Sequence, residues 1–217
     1  KVGAGKLMEF LLRTSFDMNT KGDFEGTAWH YACMDGQTET AQLLIKSSKD
    51  IGIDLNAKEN HGRTAWHLAC LTGKTETAQL IIETSKEFGI DLNAKDNLGW
   101  TAWHSACLKG KTETVQLIVQ SSKDFGIDLN VKGKYGSTAW HFACDNDRTE
   151  TVQVIIQSSK DFGIDLNAKN YSGSTAWHEA CYNGKTETAQ LIIKSSKDFG
   201  IDLNAKYNRG GTGWHEA

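Results

Sequence analysis

The chain has 217 residues, a formal net charge of −3 at pH 7 and no proline. Its lysines are spread evenly, so no basic stripe indicates nucleic acid binding, and no apolar run reaches the length that crosses a membrane. We therefore expect neither a nucleic acid partner nor membrane insertion.

The sequence repeats itself with a period of 37 residues. Thr-Ala-Trp-His begins at positions 27, 64, 101, 138 and 175, and an imperfect copy begins at position 212. A fixed period of this size is typical of a solenoid, in which each unit buries its apolar face against its neighbours. We predict one elongated domain over 1–217, with a partial repeat at 1–26, full repeats at 27–63, 64–100, 101–137, 138–174 and 175–211, and a truncated repeat at 212–217.

Within the repeat 64–100 the pattern predicts two helices followed by a loop. Thr64 begins a short helix that runs to about residue 71 and ends at Gly73, a common place for glycine. Thr75 reads as a capping hydroxyl for a second helix, with an acidic residue in its first turn. Apolar residues at 78–82 form its buried stripe, and the helix is expected to fade through 85–87 before a polar turn.

These motifs resemble the ankyrin repeat. The family's Thr-Pro-Leu-His-x-Ala signature is matched by residues 64–69, the Gly-x-x-Glu of its second helix by Gly73 and Glu76, and its closing Asp-Val-Asn-Ala by residues 91–94. The resemblance covers essentially the whole chain and implies an all-α, ankyrin-type solenoid of stacked helix-turn-helix units with projecting hairpin-like loops. The copies are about four residues longer than the common 33-residue repeat, and tryptophan replaces the signature leucine.

Both ends of the chain are incomplete repeats. Residues 1–16 align with a second helix whose apolar face carries Leu7, Phe10, Leu11 and Leu12. Terminal repeats normally carry a polar outer face, whereas Trp214 would leave ring surface exposed. We therefore expect that the intact sequence continues, or carries a tail, beyond Ala217.

Histidine and cysteine recur at one position each in every full repeat. The resemblance implies that the imidazole links a threonine hydroxyl to loop backbone. Stacked helices lie about 8–10 Å apart, beyond the reach of a disulfide, so the cysteines read as small buried apolar residues. No second His-Cys pair completes four metal ligands, so we expect no metal, cofactor or catalytic residue, and buried reduced thiols favour an intracellular, cytoplasmic location.

Differences between the copies gather at the loop tips and on the first helices, and the resemblance implies that these positions line a concave face. All five tyrosines and Trp100 lie there, and tyrosine, tryptophan and arginine are the usual anchors of interfaces. The pattern is similar to that of designed ankyrin repeat binders. The candidate partner-binding residues are Tyr31, Met34, His61, Arg63, Leu68, Leu71, Asp96, Leu98, Trp100, Leu108, Lys109, Lys134, Tyr135, Phe142, Asp145, Asn170, Tyr171, Glu179, Tyr182, Tyr207 and Arg209.

We predict a monomeric, non-catalytic module that binds a protein or peptide partner on that face. Drift after duplication is the alternative origin of the pattern, although drift should also scatter over the exposed second helices. A structural spacer or spring within a longer ankyrin array is the alternative function, and an enzyme or metal protein has only the repeated histidines and cysteines in its favour. The resemblance also implies the loop asparagines as conceivable hydroxylation sites: Asn56, Asn93, Asn130, Asn167 and Asn204.

Refolding kinetics test the local character of the solenoid. Contacts between neighbouring repeats are local in sequence, which favours fast folding, and a chain without proline has no prolyl isomerisation step. In stopped-flow refolding under reducing conditions, we expect no phase with a time constant of about 10–100 s. A dominant slow phase at low protein concentration would contradict this prediction.

Overall fold

The computed structural model describes residues 17–215, which form two layers of helices. The short helices are α1 (Ala28–Asp35), α3 (Ala65–Thr72), α5 (Ala102–Lys109), α7 (Ala139–Asp145) and α9 (Ala176–Tyr182); the long helices are α2 (Thr38–Ile51), α4 (Thr75–Phe88), α6 (Thr112–Phe125), α8 (Thr149–Phe162) and α10 (Thr186–Phe199). Short 3-10 helices span Asp23–Glu25 and Gly213–His215. Short helices contact short helices and long helices contact long ones, so the units stack in sequence order. This confirms the predicted all-α solenoid, while the helix predicted within 1–16 lies outside the described residues.

The repeated histidine joins the start of a short helix to the following loop, and this bond is made by His30, His67 and His141. At α3, the Thr64 hydroxyl accepts the backbone N–H of His67, and Nδ1 of His67 accepts the backbone N–H of Thr64 at 3.2 Å. This reciprocal pair is a capping box, with histidine in the place of glutamate or glutamine. An accepting Nδ1 puts the proton on Nε2, which donates to the Trp100 carbonyl at 3.0 Å. The linking role implied by the resemblance is confirmed.

The tryptophan that replaces the signature leucine is a core residue with a hydrogen bond of its own. Trp66 is 1% exposed, and its Nε1 donates to the Leu92 carbonyl at 3.1 Å. A buried indole is stabilised by such a partner, and leucine has no equivalent donor. The same bond recurs, 26 residues along the chain, from Trp29, Trp103, Trp140 and Trp177.

The long helices extend one turn further than the sequence pattern predicted. Helix α4 continues through residues 85–87 to Phe88 and ends at Gly89, whose φ is +66°. The expectation that the helix fades before Phe88 was therefore wrong, because the half-buried ring of Phe88 packs against the core and anchors this last turn. Nζ of Lys49, in the preceding repeat, lies 4.8 Å from the centre of the Phe88 ring, and this cation–π contact recurs as Lys86–Phe125, Lys123–Phe162 and Lys160–Phe199.

The repeated threonine at the start of the long helices connects neighbouring repeats. The N-cap residue of α4 is Lys74 and makes no side-chain capping bond, so the predicted capping role of Thr75 was wrong. Its hydroxyl lies 2.9 Å from that of Thr114 in the next repeat. Thr114 is 1% exposed, and a buried hydroxyl needs a hydrogen-bond partner. Thr75 supplies that partner.

Loop asparagines form a second set of bridges between repeats. Nδ2 of Asn93 donates to the Gly126 carbonyl at 2.8 Å, and its Oδ1 accepts the backbone N–H of Asp128 at 2.9 Å. One side chain thus ties its own loop to the end of the next long helix. The same pair of bonds is made by Asn19, Asn56, Asn130 and Asn167.

Replacing Asn93 by alanine tests this bridge. Each lost hydrogen bond contributes about 1 kcal/mol, so we expect the free energy of unfolding in urea to fall by about 1–2 kcal/mol. Asn204 is the matched control, since its position corresponds to Asn93 but the 217-residue chain holds no position 33 residues further on to accept its bond. If Asn204→Ala destabilises the 217-residue chain as much as Asn93→Ala, the bridge is not the cause.

Burial lowers the pKa of the linking histidines. The pKa values of His30 and His67 lie below the ordinary value, and those of His104 and His141 are lowered to about 4. The physical cause is desolvation, because burial penalises the charged, protonated form of the ring.

The pH dependence of stability follows from this shift. Because histidines of the unfolded chain bind protons near pH 6.5, the contribution of His104 and His141 to stability is complete above that pH and is lost as the pH falls toward about 4. Each histidine adds a slope of roughly 1 kcal/mol per pH unit in that window. We expect His141→Gln to reduce the slope of unfolding free energy between pH 6.5 and 5. The control is Gln153→Ala, an exposed replacement on α8 that removes no titratable group, and it should leave the slope unchanged. Equal slopes for wild type and His141→Gln would refute the assignment.

Candidate partner-binding surface

The loop tips of successive repeats lie next to each other in a continuous row. Within one tip, the backbone N–H of Asp96 donates to the Trp100 carbonyl at 2.9 Å and closes a turn. Between tips, the backbone N–H of Asn97 donates to the His61 carbonyl at 3.0 Å. Equivalent tip-to-tip bonds join Asn60 to Phe24, Lys134 to Leu98, Tyr171 to Tyr135 and Asn208 to Ser172.

Side chains of the tips contact the short helices, so tips and short helices share one surface. Nδ2 of Asn170 donates to Oε1 of Glu179 on α9 at 3.0 Å. The rings of Tyr207 and His178, also on α9, meet edge to face with centroids 5.6 Å apart. We call this the variable surface: the tips 59–63, 96–100, 133–137, 170–174 and 207–211, with the solvent-accessible side chains of α1, α3, α5, α7 and α9.

The predicted partner-binding residues differ in exposure. The exposed tyrosines are Tyr135, Tyr171 and Tyr182, with exposed fractions of 63%, 69% and 71%. His61, Lys109, Lys134 and Arg209 are exposed as well. The half-buried residues are Tyr31, Met34, Arg63, Leu68, Leu71, Leu98, Trp100, Leu108, Phe142, Asp145, Asn170, Glu179 and Tyr207, and Asp96 is buried.

The first position of the tip supports the turn from within. Asp96 is 8% exposed, and its Oδ1 accepts the backbone N–H groups of Leu98 and Trp100 at 2.8 and 2.9 Å. Glu59 and Asn170 accept the equivalent pairs in their own tips. Sequence reasoning missed this role, although an acid or amide at this position in three repeats was a signal for it. Asp96 therefore shapes the tip and offers no free carboxylate.

Trp100 is held in place by the neighbouring repeat. A Cβ added at Gly133 would lie 2.6 Å from Cδ1 of Trp100, so glycine leaves the space that the indole occupies. The Trp100 ring also packs on Phe142 of α7, with centroids 4.6 Å apart. The variation seen at position 133 is thus partly a packing response, and replacement of Trp100 would disturb stability as well as recognition.

The variable surface changes in character along the solenoid. Helices α3 and α5 present leucines, whereas α7 and α9 present Asp145 and Glu179. Nδ2 of Asn183 donates to Oδ1 of Asp145 at 2.6 Å. Burial, and then the nearby Asp145 carboxylate, raise the pKa of Glu179 above its ordinary value. The end of the surface at α9 is therefore both acidic and rich in tyrosine.

The cysteine thiols are buried away from solvent. The five cysteines are free and buried, and burial raises the pKa of the Cys33, Cys70, Cys107 and Cys144 thiols. They are therefore protonated, and a protonated thiol is a poor nucleophile. Among residues 17–215, no three His, Cys, Asp or Glu side chains come together in a way that could hold a metal ion. None of the helices described is both long and apolar enough to cross a membrane.

Comparison with known proteins agrees with this architecture. A family model described as ankyrin repeats (3 copies) matches four overlapping segments, residues 1–96, 51–132, 86–170 and 125–207. No curated protein matches the chain at a significant level. The matched segments cover most of the sequence and run through all of the full repeats, and the chain belongs to the ankyrin repeat family.

Proposed function

We propose that the chain is a non-catalytic module that binds a protein or peptide partner on its variable surface. Ankyrin repeats are generally protein–protein interaction modules, and the family is typically non-catalytic. The proposal adds the location of binding, namely the loop tips and short helices, and a monomeric state.

The observation that carries the proposal is the concentration of sequence differences on the variable surface. One exposed position of the long helices also varies, and it reads Lys46, Glu83, Gln120, Gln157 and Lys194. The identical threonines and lysines of the long helices have a structural reason to be identical, because they contact the next repeat. The glutamines at the solvent-exposed face of these helices lack that explanation, yet they too are identical: Gln42, Gln79, Gln116, Gln153 and Gln190. Drift after duplication would have altered them, so selection by a partner explains the variable surface better.

The side chains on the variable surface also suit recognition. Tyr135, Tyr171 and Tyr182 expose most of their rings to solvent. A tyrosine offers a large rigid contact area at a low cost in conformational entropy, with a hydroxyl for hydrogen bonding. Three such rings on adjacent repeats are the kind of anchor that dominates binding energy at protein interfaces.

A triple replacement of Tyr135, Tyr171 and Tyr182 by alanine tests the proposal. The partner is first captured from cells that express the protein and then verified by calorimetry with purified components. Because each anchor contributes more than about 1 kcal/mol, we expect affinity to fall at least about 100-fold. The thermal unfolding midpoint should hardly move, since these rings are exposed.

Matched replacements on the long helices provide the control. Gln79, Gln116 and Gln153 are exposed on α4, α6 and α8, and their triple alanine variant should bind as the wild type does. Unchanged affinity of the tyrosine variant, or an equal loss in the glutamine variant, would reject the variable surface as the binding site and favour the spacer function.

A further inference from the structure

A cavity of about 550 Å³ opens on the variable surface at the repeat 175–211. Its walls come from two neighbouring tips and from α9, and they include Tyr171, Tyr182, Tyr207 and Glu179. Four other hollows on the molecule measure about 190–280 Å³. Sites for small ligands and side chains are usually about 300–1,000 Å³, so this cavity has the size of a binding site.

Three tyrosines line the cavity. Tyr207 is half-buried, with its ring edge to face against His178 and its side chain over Gly211, where a Cβ would collide with it. Tyr171 and Tyr182 stand at the mouth and are mostly exposed. The faces of aromatic rings carry a negative electrostatic potential and attract cations.

Carboxylates supply negative charge at the same place. Glu179 lines the cavity and is half-buried, and only its Oε1 is engaged by the amide of Asn170 in the hydrogen bonds that the structure shows. Asp145, on the adjacent helix α7, interacts unfavourably with Glu179 and contributes to the raised pKa of that carboxyl. A cation between the rings would relieve this repulsion, whereas an anion would increase it.

The positive charge near the cavity has a weaker electrostatic effect inside it. Arg209 also lines it, but its side chain is exposed to solvent, where charges are strongly screened. The combination of tyrosines with an acid is specific to this repeat, since the residue after histidine is Tyr31, Leu68, Ser105 or Phe142 in the other full repeats and Glu179 here.

We propose that this cavity binds a basic side chain, lysine or arginine, presented by the partner, with the ammonium or guanidinium group between the tyrosine rings and the Glu179 carboxylate. The inference rests on the proposed function, because it names the chemistry of a partner for one part of the variable surface. It adds a specificity site to a surface that is otherwise apolar at α3 and α5.

Blocked single amino acids test the charge requirement directly. The probes are the N-acetyl, N-methylamide derivatives of lysine, arginine, norleucine and glutamate, titrated into the isotopically labelled 217-residue chain and followed by NMR. We expect the lysine or the arginine derivative to shift the signals of residues 171, 179, 182 and 207, with a dissociation constant on the order of 1 mM. Norleucine, the uncharged analogue of lysine, should bind at least fivefold more weakly, and glutamate should cause no shifts there.

Variants identify the groups responsible. Glu179→Gln keeps the shape of the side chain and should weaken binding of the basic probe at least about fivefold, a loss of roughly 1 kcal/mol in binding free energy. Tyr182→Leu should also weaken it. Glu187→Gln is the matched control, because Glu187 is an exposed glutamate on α10 of the same repeat, and it should leave binding unchanged. Equal binding of norleucine and lysine, preferred binding of glutamate, or a normal affinity of Glu179→Gln would each overturn the proposal.

The same variants separate this inference from the proposed function. If no basic probe binds but the triple tyrosine variant still loses the verified partner, the cavity has been assigned the wrong ligand and the variable surface remains the binding site. If the basic probe binds at the cavity and the partner ignores the tyrosine replacements, the cavity is a genuine cation site and the proposed function fails.

Discussion

The architecture depends on one buried imidazole in each repeat. His67 closes the first turn of α3 through Nδ1 and holds the carbonyl at the base of the next tip through Nε2. The indole of Trp66 fastens the other end of the same loop to the same helix. Nε2 of His67 and Nε1 of Trp66 therefore set the position of the loop, and the loop's own residues can differ in sequence from one repeat to another. A tip can change its side chains while its backbone stays in place.

The long helices share a continuous apolar core that includes Ile81, Ile118 and Ile155, and they add polar contacts between neighbouring repeats. The last turn of each long helix brings a phenylalanine beneath a lysine of the preceding repeat. Paired threonine hydroxyls and loop asparagines connect neighbouring repeats at other places. Each contact is small, and the interface between two repeats is their sum. Identity between copies on this side has a physical explanation at most positions, and the exposed glutamines are the exception.

The repeat period, the helices and the core could be predicted from the sequence, because apolar spacing and helix-ending glycines are visible within a single repeat. It was insufficient where the deciding partner lies a repeat away. Thr75 looked like a cap, since its neighbour Thr114 is 39 residues distant. No pattern within its own repeat explains the glycine at position 133, whereas the Trp100 indole of the preceding repeat occupies the space that a side chain there would fill. The candidate cavity likewise forms only where two tips and α9 converge, a juxtaposition that no single copy reveals.

The bridging asparagine gives the array a further property. Its partners are a backbone carbonyl and a backbone N–H of the next repeat, so the joint makes no demand on which copy comes next. Reordering whole repeats would preserve this joint, whereas the contact between Trp100 and Gly133 requires one particular neighbour. The order of the repeats therefore affects the packing at the loop tips and leaves the asparagine joints unchanged.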